Sequence, residues 1–366
     1  MKKRFGVTVL ALGASVAIIL SGCGGCAGCG TTAKNIASLS SNWYANTAYK
    51  KIQPTFTQGN EDFKKEEIKY TVTFDKTAAK NNSYSVNYSD GTYITEFYAA
   101  EFDRDKYCAE EFKDAYPDNL VAYYYKTSLN IPEVTFKVGN DEKSFENDNI
   151  ITECWFLSVE DALQPIYSKI SADTVSPAAN RVSSIDEAYN KIKCEYVTYY
   201  SYQPGAALTE VTCDGQTTKN TTDGLGNTVN TVFDLSSLNI AIRATKLTGD
   251  LSQVITLHTP NAGLQNFTLS GRSGALSEAD LTKIENIMTE NGLYVGGNED
   301  DKLNTTAVSI TYAGQLSGVS QQYWFAAIDN ARNNTGRATM LKIAQPLPYS
   351  LGTLHITLDE IVSKIY

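Results

Sequence analysis

Hydrophobic and polar residues alternate with a period of two along much of this chain. About a fifth of the way along the chain, polar residues alternate with Ile68, Tyr70, Val72 and Phe74. This pattern is typical of a strand with one buried face and one face in solvent. Further strands are predicted at residues 84–88, 93–97, 121–129, 133–138, 150–158, 192–202, 207–213, 238–247, 254–258, 267–270, 307–312, 322–328, 338–343 and 354–358. The predicted fold class is therefore mainly β, with antiparallel, sandwich-like sheets.

Glycine-containing pairs between these runs predict turns. Asp90-Gly91 separates two alternating runs, and Asp-Gly favours the type I′ turn, in which φ is positive at both central residues. A hairpin is therefore predicted there, and a second one is predicted around Pro204-Gly205. The polar stretch 139–149 is predicted to be a turn.

One clear helix is predicted over residues 277–291. Ser277 can cap its first turn, Asp280 stands three residues later, and Gly292 can end the helix in the left-handed conformation. Short helical segments are also predicted at 103–116 and 360–366.

The chain is long enough for two domains. A stretch of small residues with a proline, 176–184, predicts a boundary between β-rich domains at 42–180 and 181–366. The second of these domains would contain the helix at 277–291. Trp155-Phe156 and Trp324-Phe325 are each followed by similar short motifs, so a duplication is an open alternative.

The first residues of the chain have the order of a secretory signal peptide. Met1–Arg4 carries three positive charges, Val7–Leu20 is apolar, and two small residues precede Cys23. The apolar run of fourteen residues is shorter than the ~20 residues that a membrane-spanning helix needs.

Leu20-Ser21-Gly22-Cys23 resembles the lipobox of bacterial lipoproteins. The resemblance implies a diacylglycerol on the Cys23 thiol, cleavage before Cys23, and a protein anchored to the cell membrane and facing outside the cytoplasm. Residues 1–22 would be the signal peptide. Residues 23–41, rich in Gly, Ala, Ser and Thr, would be a flexible tether. The rest of the chain resembles no family.

The charge balance excludes one class of partner. The chain has 31 basic and 41 acidic residues, and removal of Lys2, Lys3 and Arg4 with the signal peptide leaves a net charge of −13. A protein with this net negative charge repels the phosphates of nucleic acid. We therefore expect no nucleic-acid partner.

The cysteines fall into two groups. Four lie in the body of the chain: Cys108, Cys154, Cys194 and Cys213. In an exported protein they could form two disulfides in three ways, or stay as buried thiols. Cys26 and Cys29 follow Cys23 at a spacing that superficially suggests metal ligation. No fourth ligand follows, so they are assigned to the tether.

The sequence contains no recognisable catalytic motif. Its two histidines, His258 and His355, are too far apart to form a His-Glu-x-x-His zinc motif. The sequence also lacks the Gly-x-Ser-x-Gly, Ser-x-x-Lys and Gly-Lys motifs. We therefore predict no catalytic residues, no metal site and no cofactor. Two possibilities stay open: a carboxylate pair for glycoside hydrolysis, and a calcium ion in the oxygen-rich stretches 140–149, 221–227 and 298–301.

Two tyrosine clusters are the candidate binding surface: Tyr123, Tyr124, Tyr125, Tyr199, Tyr200 and Tyr202. Side chains alternate between the faces of a strand, so at least one ring of each cluster should face away from the core. An exposed tyrosine platform suits a glycan or an envelope protein. Alternatively, these rings simply cover the sheet.

Together these observations predict a membrane-anchored surface or envelope lipoprotein that acts as a non-enzymatic binding module. Its partners would be the membrane, through lipid on Cys23, and a glycan or an envelope protein. The alternatives are a structural envelope component that contacts other proteins and a hydrolase that acts on glycans.

Overall fold

The computed structural model describes residues 65–159, 162–201, 205–225, 232–234, 236, 238–243, 252–272, 275–294, 303–312, 321–326 and 339–363. The predicted signal peptide, the tether and Cys23 lie outside these residues. So do the first part of the predicted domain at 42–180, and Tyr202.

Within the described residues the chain forms sixteen strands. They are β1 (Glu66–Asp75), β2 (Ser85–Tyr88), β3 (Gly91–Glu101), β4 (Val121–Val138), β5 (Asp141–Val159), β6 (Ala162–Pro177), β7 (Tyr189–Ser201), β8 (Ala206–Cys213), β9 (Gln216–Asp223), β10 (Val232–Asp234), β11 (Ser252–Thr259), β12 (Gly263–Arg272), β13 (Thr305–Tyr312), β14 (Gln321–Ala326), β15 (Met340–Pro346) and β16 (Thr353–Ser363).

Helices are few in the same residues. The α-helices are α1 (Arg104–Tyr107), α2 (Leu238–Arg243) and α3 (Glu278–Glu290), and short 3-10 helices lie at Glu110–Ala115, Ile185–Glu187 and Pro348–Ser350. The helix predicted at 277–291 is confirmed as α3. It begins after Ser277, because Ser277 Oγ accepts a hydrogen bond from the Asp280 N–H and caps the first turn. The segment predicted at 103–116 contains α1 and a 3-10 helix.

The strands join in a single sheet. Its order is β10-β11-β12-β13-β14-β15-β16-β1-β3-β4-β5-β6-β7-β8-β9, with β2 paired to β4. Every pairing is antiparallel except that of β10 with β11. The prediction of a mainly antiparallel β protein with few helices is therefore confirmed. Since β6 and β7 pair across residues 176–190, the sheet continues through the predicted boundary, and the division into two domains stays a prediction.

Helix α2 lies inside the fold. Its residues Leu238, Asn239, Ile240 and Ile242 are all at most 2% exposed. Asn239 Nδ2 donates to Tyr125 Oη on β4 at 2.8 Å and contacts the sulfur of Met340, the first residue of β15, at 3.2 Å. These strands lie on either side of the β16-β1-β3 segment of the sheet, so the sheet curves around the helix. The strand predicted at 238–247 is therefore wrong over residues 238–243, which are helical, and its remainder lies outside the described residues.

The hairpin predicted at Asp90-Gly91 is also wrong. Strands β2 and β3 run in the same direction along β4 and keep one register, so the chain does not reverse. In this register Asp90 stands opposite Pro132, which has no N–H to donate to the ladder. A Cβ on Gly91 would lie 2.4 Å from the Asn130 carbonyl oxygen, so the glycine permits a close approach of two strands.

Two other local predictions need correction. The predicted turn at 139–149 shrinks to Gly139 and Asn140, because β5 already begins at Asp141 and pairs with β4 from there. Residues 140–149 are therefore not a loop that could wrap a calcium ion. The predicted helical end at 360–366 is replaced, as far as Ser363, by the last part of β16. The second hairpin, β7–β8, is confirmed.

Candidate functional site

Strands β5 and β6 separate part-way along their length and form a fork. Their ladder ends at the pair Asn149–Asp173, after which β5 remains paired with β4 and β6 remains paired with β7. Asn147, just beyond the last pair, has a φ of 59°. The left-handed conformation at Asn147 turns β5 away from β6.

A cavity of about 570 Å³ occupies this fork, and we call it the fork cavity. Residues from both diverging strands and from β7 line it, among them Lys143, Phe145, Asp148, Asp173, Lys191 and Lys193. Its volume is within the range of ~300–1,000 Å³ that small-molecule sites occupy.

Asp148 is the buried acid of the fork cavity. It is 2% exposed, and its Oδ1 accepts hydrogen bonds from the Thr174 hydroxyl and from the Val175 N–H, the latter at 2.7 Å. The carboxylate thus accepts hydrogen bonds from β6 in place of the β5 backbone, which has turned away from that strand. Asp148 Oδ2 has no hydrogen-bond partner among the described residues.

Burial raises the pKa of Asp148 to about 6, and the nearby Asp173 carboxylate adds to this rise. The two hydrogen bonds to Oδ1 act in the opposite direction, because they stabilise the ionised form. Acids with a pKa raised by burial and by a neighbouring charge are more common at functional sites than elsewhere.

A second cavity, of about 540 Å³, lies beside the first on the outer face of β5–β8, and we call it the outer groove. Asp173, Lys193 and Asp214 line both cavities. At their junction Lys193 Nζ pairs with Asp173 Oδ2 at 2.9 Å. The two cavities therefore adjoin at this ion pair. In the outer groove Ile151 is 39% exposed, an unusual position for a large aliphatic side chain.

The predicted tyrosines occupy both faces of the sheet, as the alternation requires. On the outer face, Tyr124 and Tyr199 belong to a row of rings that the strand registers place side by side: Tyr98, Tyr124, Trp155, Tyr167 and Tyr199. The centroids of Tyr98 and Tyr124 are 4.6 Å apart, and those of Tyr124 and Trp155 are 5.0 Å apart.

This aromatic row is covered and does not form an open platform. Phe102, Tyr107, Phe112 and Tyr116, from the segment that contains α1, pack over it in a second hydrophobic cluster. Tyr124 is 7% exposed. On the inner face, buried Tyr125 and half-buried Tyr123 belong to the main hydrophobic core, and buried Tyr200 belongs to a smaller cluster with Ala207 and Leu225.

A buried polar network joins strands near the two ends of the sheet order. It consists of Ser168, Tyr200, Thr222, Asp234 and His258. Asp234 Oδ2 accepts hydrogen bonds from the Tyr200 hydroxyl and, at 3.0 Å, from the Ser168 hydroxyl. Tyr200 Oη lies 3.0 Å from His258 Nδ1, and His258 Nε2 lies 3.3 Å from Thr222 Oγ1.

The donor and acceptor of each hydrogen bond in this network can be assigned by starting from Asp234. With Asp234 ionised, the single Tyr200 proton goes to the carboxylate, so His258 Nδ1 must donate to Tyr200 and His258 Nε2 must accept from Thr222. Burial lowers the pKa of His258 to about 4 and raises that of Asp234. Both side chains are at most 1% exposed, so the network holds strands together and does not face a ligand.

The body cysteines divide into one disulfide and two thiols. Cys194 and Cys213 stand directly opposite each other on β7 and β8 and form a disulfide, while Cys108 and Cys154 are free and buried. Among the described residues no group of three His, Cys, Asp or Glu side chains is arranged to hold a metal ion.

No helix in the described part of the chain has both the length and the hydrophobicity to cross a bilayer.

Comparison with known proteins identifies no family. No protein-family model matches the sequence, and no curated protein is similar to it. One similar solved structure is described as a beta-barrel-like protein of domain of unknown function DUF1849 from Brucella abortus. It is 10% identical, the match covers 83% of this chain and 99% of that one, and the TM-score is 0.43.

Sequence reasoning did not find Asp148, because it lies in a polar stretch that predicted a turn. The signal that could have pointed to it is Asn147-Asp148-Asn149. Asparagine and aspartate tolerate positive φ, so this triplet fits a bend within a strand as well as a turn.

Proposed function

We propose that this protein is a lipid-anchored binding module, displayed outside the cytoplasmic membrane, whose binding surface is the fork cavity together with the outer groove. The observation that carries the proposal is the concave surface formed by these two adjoining cavities on β5–β8. It combines a buried acid, a central ion pair and an exposed aliphatic side chain, Ile151. Ligand sites are usually concave and combine apolar side chains with a small number of placed polar groups.

The anchor follows from the sequence of residues 20–23. Each buried CH₂ of a lipid contributes about 0.8 kcal/mol, and one chain alone holds a protein only marginally. Two or three acyl chains on Cys23 would therefore anchor the domain stably, while a net charge of −13 after cleavage keeps it soluble at the surface.

The anchor is tested by mass spectrometry of the mature N-terminus and by cell fractionation. We expect an acylated Cys23 in the wild type and release of the Cys23→Ala variant from the membrane fraction. An unmodified Cys23 in the native protein would refute the lipid anchor.

The binding surface is tested by crosslinking on intact cells, followed by identification of the captured component. Ser171→Trp fills the outer groove, whereas Thr217→Trp places the same side chain in the same cross-strand row but outside the groove. We expect Ser171→Trp to abolish capture and Thr217→Trp to preserve it. Equal capture by both variants would exclude this surface.

A hydrolase acting on glycans is the second candidate function, because Asp148 and Asp173 line the same cavity. Glycoside hydrolysis uses two carboxyl groups about 5–10 Å apart, one of them with a raised pKa. Release of reducing ends from a bound glycan by the wild type, but not by Asp148→Asn, would favour this function over binding alone.

A further inference from the structure

The strongest unexplained feature of the molecule is the unused oxygen of Asp148. A buried carboxylate oxygen without a hydrogen bond is unfavourable by about 1–3 kcal/mol or more. Within the described residues, Asp148 Oδ1 has two donors and Asp148 Oδ2 has none, although the side chain is 98% buried against the fork cavity. Oδ2 has almost no accessible surface, so a donor from the cavity reaches it only after a small movement of the cavity wall.

The charges around the fork cavity restrict the source of that donor. Its acidic side chains are Asp148, Asp173, Asp214 and Glu146, and its basic ones are Lys143, Lys191 and Lys193. Acidic groups exceed basic groups by one, so an anionic ligand would be repelled. The charges come from β5, β6, β7 and the turn after β8, so a ligand in the cavity meets donors and acceptors on several sides.

A ligand rich in hydroxyl groups matches this arrangement. Each hydroxyl carries one donor and two acceptor lone pairs, so adjacent hydroxyls can donate to Asp148 and accept from a lysine at the same time. Phe145 supplies a half-buried apolar surface in the same cavity, and Lys191 Nζ lies 4.8 Å from its ring centroid. A cavity of about 570 Å³ holds a ligand of one or two sugar rings.

We propose that the fork cavity is a saccharide-binding site in which Asp148 Oδ2 accepts a hydrogen bond from a hydroxyl group of a neutral sugar. This inference rests on the proposed function, because it names the ligand class of the same surface. The outer groove, which shares Asp173, Lys193 and Asp214 with the fork cavity, extends the site along the sugar chain.

The test uses the full-length lipidated protein in detergent and an array of defined neutral oligosaccharides. The probes are oligomers of β-1,4-linked glucose, β-1,4-linked xylose, α-1,4-linked glucose and β-1,4-linked N-acetylglucosamine. Titration calorimetry with any oligomer that binds then gives the affinity. We expect binding of at least one oligomer by the wild type.

Three variants decide whether Asp148 makes the contact. Asp148→Asn replaces the acceptor Oδ2 with a group of the same shape, and we expect it to weaken binding at least tenfold. Asp141→Asn is the matched control, because it makes the same change on the same strand outside the cavity, and its affinity should equal that of the wild type. Ser144→Trp alters an exposed residue at the cavity, so it fills the site without disturbing the core and should also abolish binding.

The outcomes separate this inference from the proposed function. If no oligosaccharide binds while intact cells still yield a crosslinked component, or if a peptide binds instead, the saccharide site is refuted and the binding module stands. If neither experiment gives binding, both are refuted. Saccharide binding that Asp148→Asn and Ser144→Trp leave unchanged would refute the role of the fork cavity.

Discussion

His258 should make the stability of this protein fall as the pH is lowered below neutral. Burial lowers the pKa of this imidazole from 6.5 to about 4. The unfolded chain binds a proton on His258 near pH 6.5, whereas the folded chain does so only near pH 4. Between these values the unfolded state carries more protons, so the free energy of unfolding decreases as pH falls.

The size of the effect follows from the shift. At 1.36 kcal/mol for each pKa unit, the change from 6.5 to about 4 corresponds to about 3 kcal/mol. The loss begins near pH 6.5 and is complete near pH 4. Asp148 changes stability in the opposite direction, because its raised pKa of about 6 lets the folded state bind a proton first as pH falls. A comparison of the wild type with a variant that retains Asp148 but lacks His258 therefore isolates the contribution of His258 to the pH dependence of stability.

The variant His258→Gln serves this purpose, since glutamine does not titrate. Urea unfolding of both proteins at pH 7, 6, 5 and 4 gives the difference in their free energies of unfolding. We expect this difference to move by about 3 kcal/mol in favour of the variant between pH 7 and pH 4. His355→Gln is the control, because His355 is partly exposed and Asp75 lies 4.0 Å away, so its effect should be smaller. Parallel curves for wild type and His258→Gln would refute the reasoning.

Three further predictions concern stability. Gly91→Ala should lower the free energy of unfolding by about 2 kcal/mol or more, because the new Cβ would lie 2.4 Å from a backbone oxygen, and an unchanged melting temperature would contradict this. Joint replacement of Cys194 and Cys213 by alanine should reduce stability by about 3 kcal/mol, measured by urea unfolding without reductant, and a variant as stable as the wild type would disprove it. Tyr200→Phe removes a donor from buried Asp234 and should reduce stability by about 1–3 kcal/mol in the same assay, whereas no loss would show that the hydroxyl is dispensable.

The sequence predicted local structure well where one periodicity dominated. The capped helix after Ser277 and the alternating strand from Ile68 to Phe74 both carry their signal within a few residues. It failed at residues 238–243, because a short apolar run fits a buried strand and a buried helix equally well. It also failed at Gly91, where the pair Asp-Gly has the composition of a turn but the glycine is needed for a close contact with β4.

The candidate site could not be predicted in the same way. Asp148 becomes a buried acid only because Thr174 and Val175, on the next strand, come within hydrogen-bond distance of it. The same applies to Asp234 and His258, which meet across strands from distant parts of the chain. Such contacts depend on the sheet order, and the sheet order leaves no pattern in any single stretch of sequence.

The position of β16 has a consequence for how the chain can fold. This strand lies in the interior of the sheet order, between β15 and β1, yet it is formed by residues 353–363. Strands β1 and β16 are therefore separated by nearly 300 residues but pair directly, which is a contact of very long range. The sheet is incomplete until β16 pairs with β1 and β15, so we expect slow folding that includes this long-range contact.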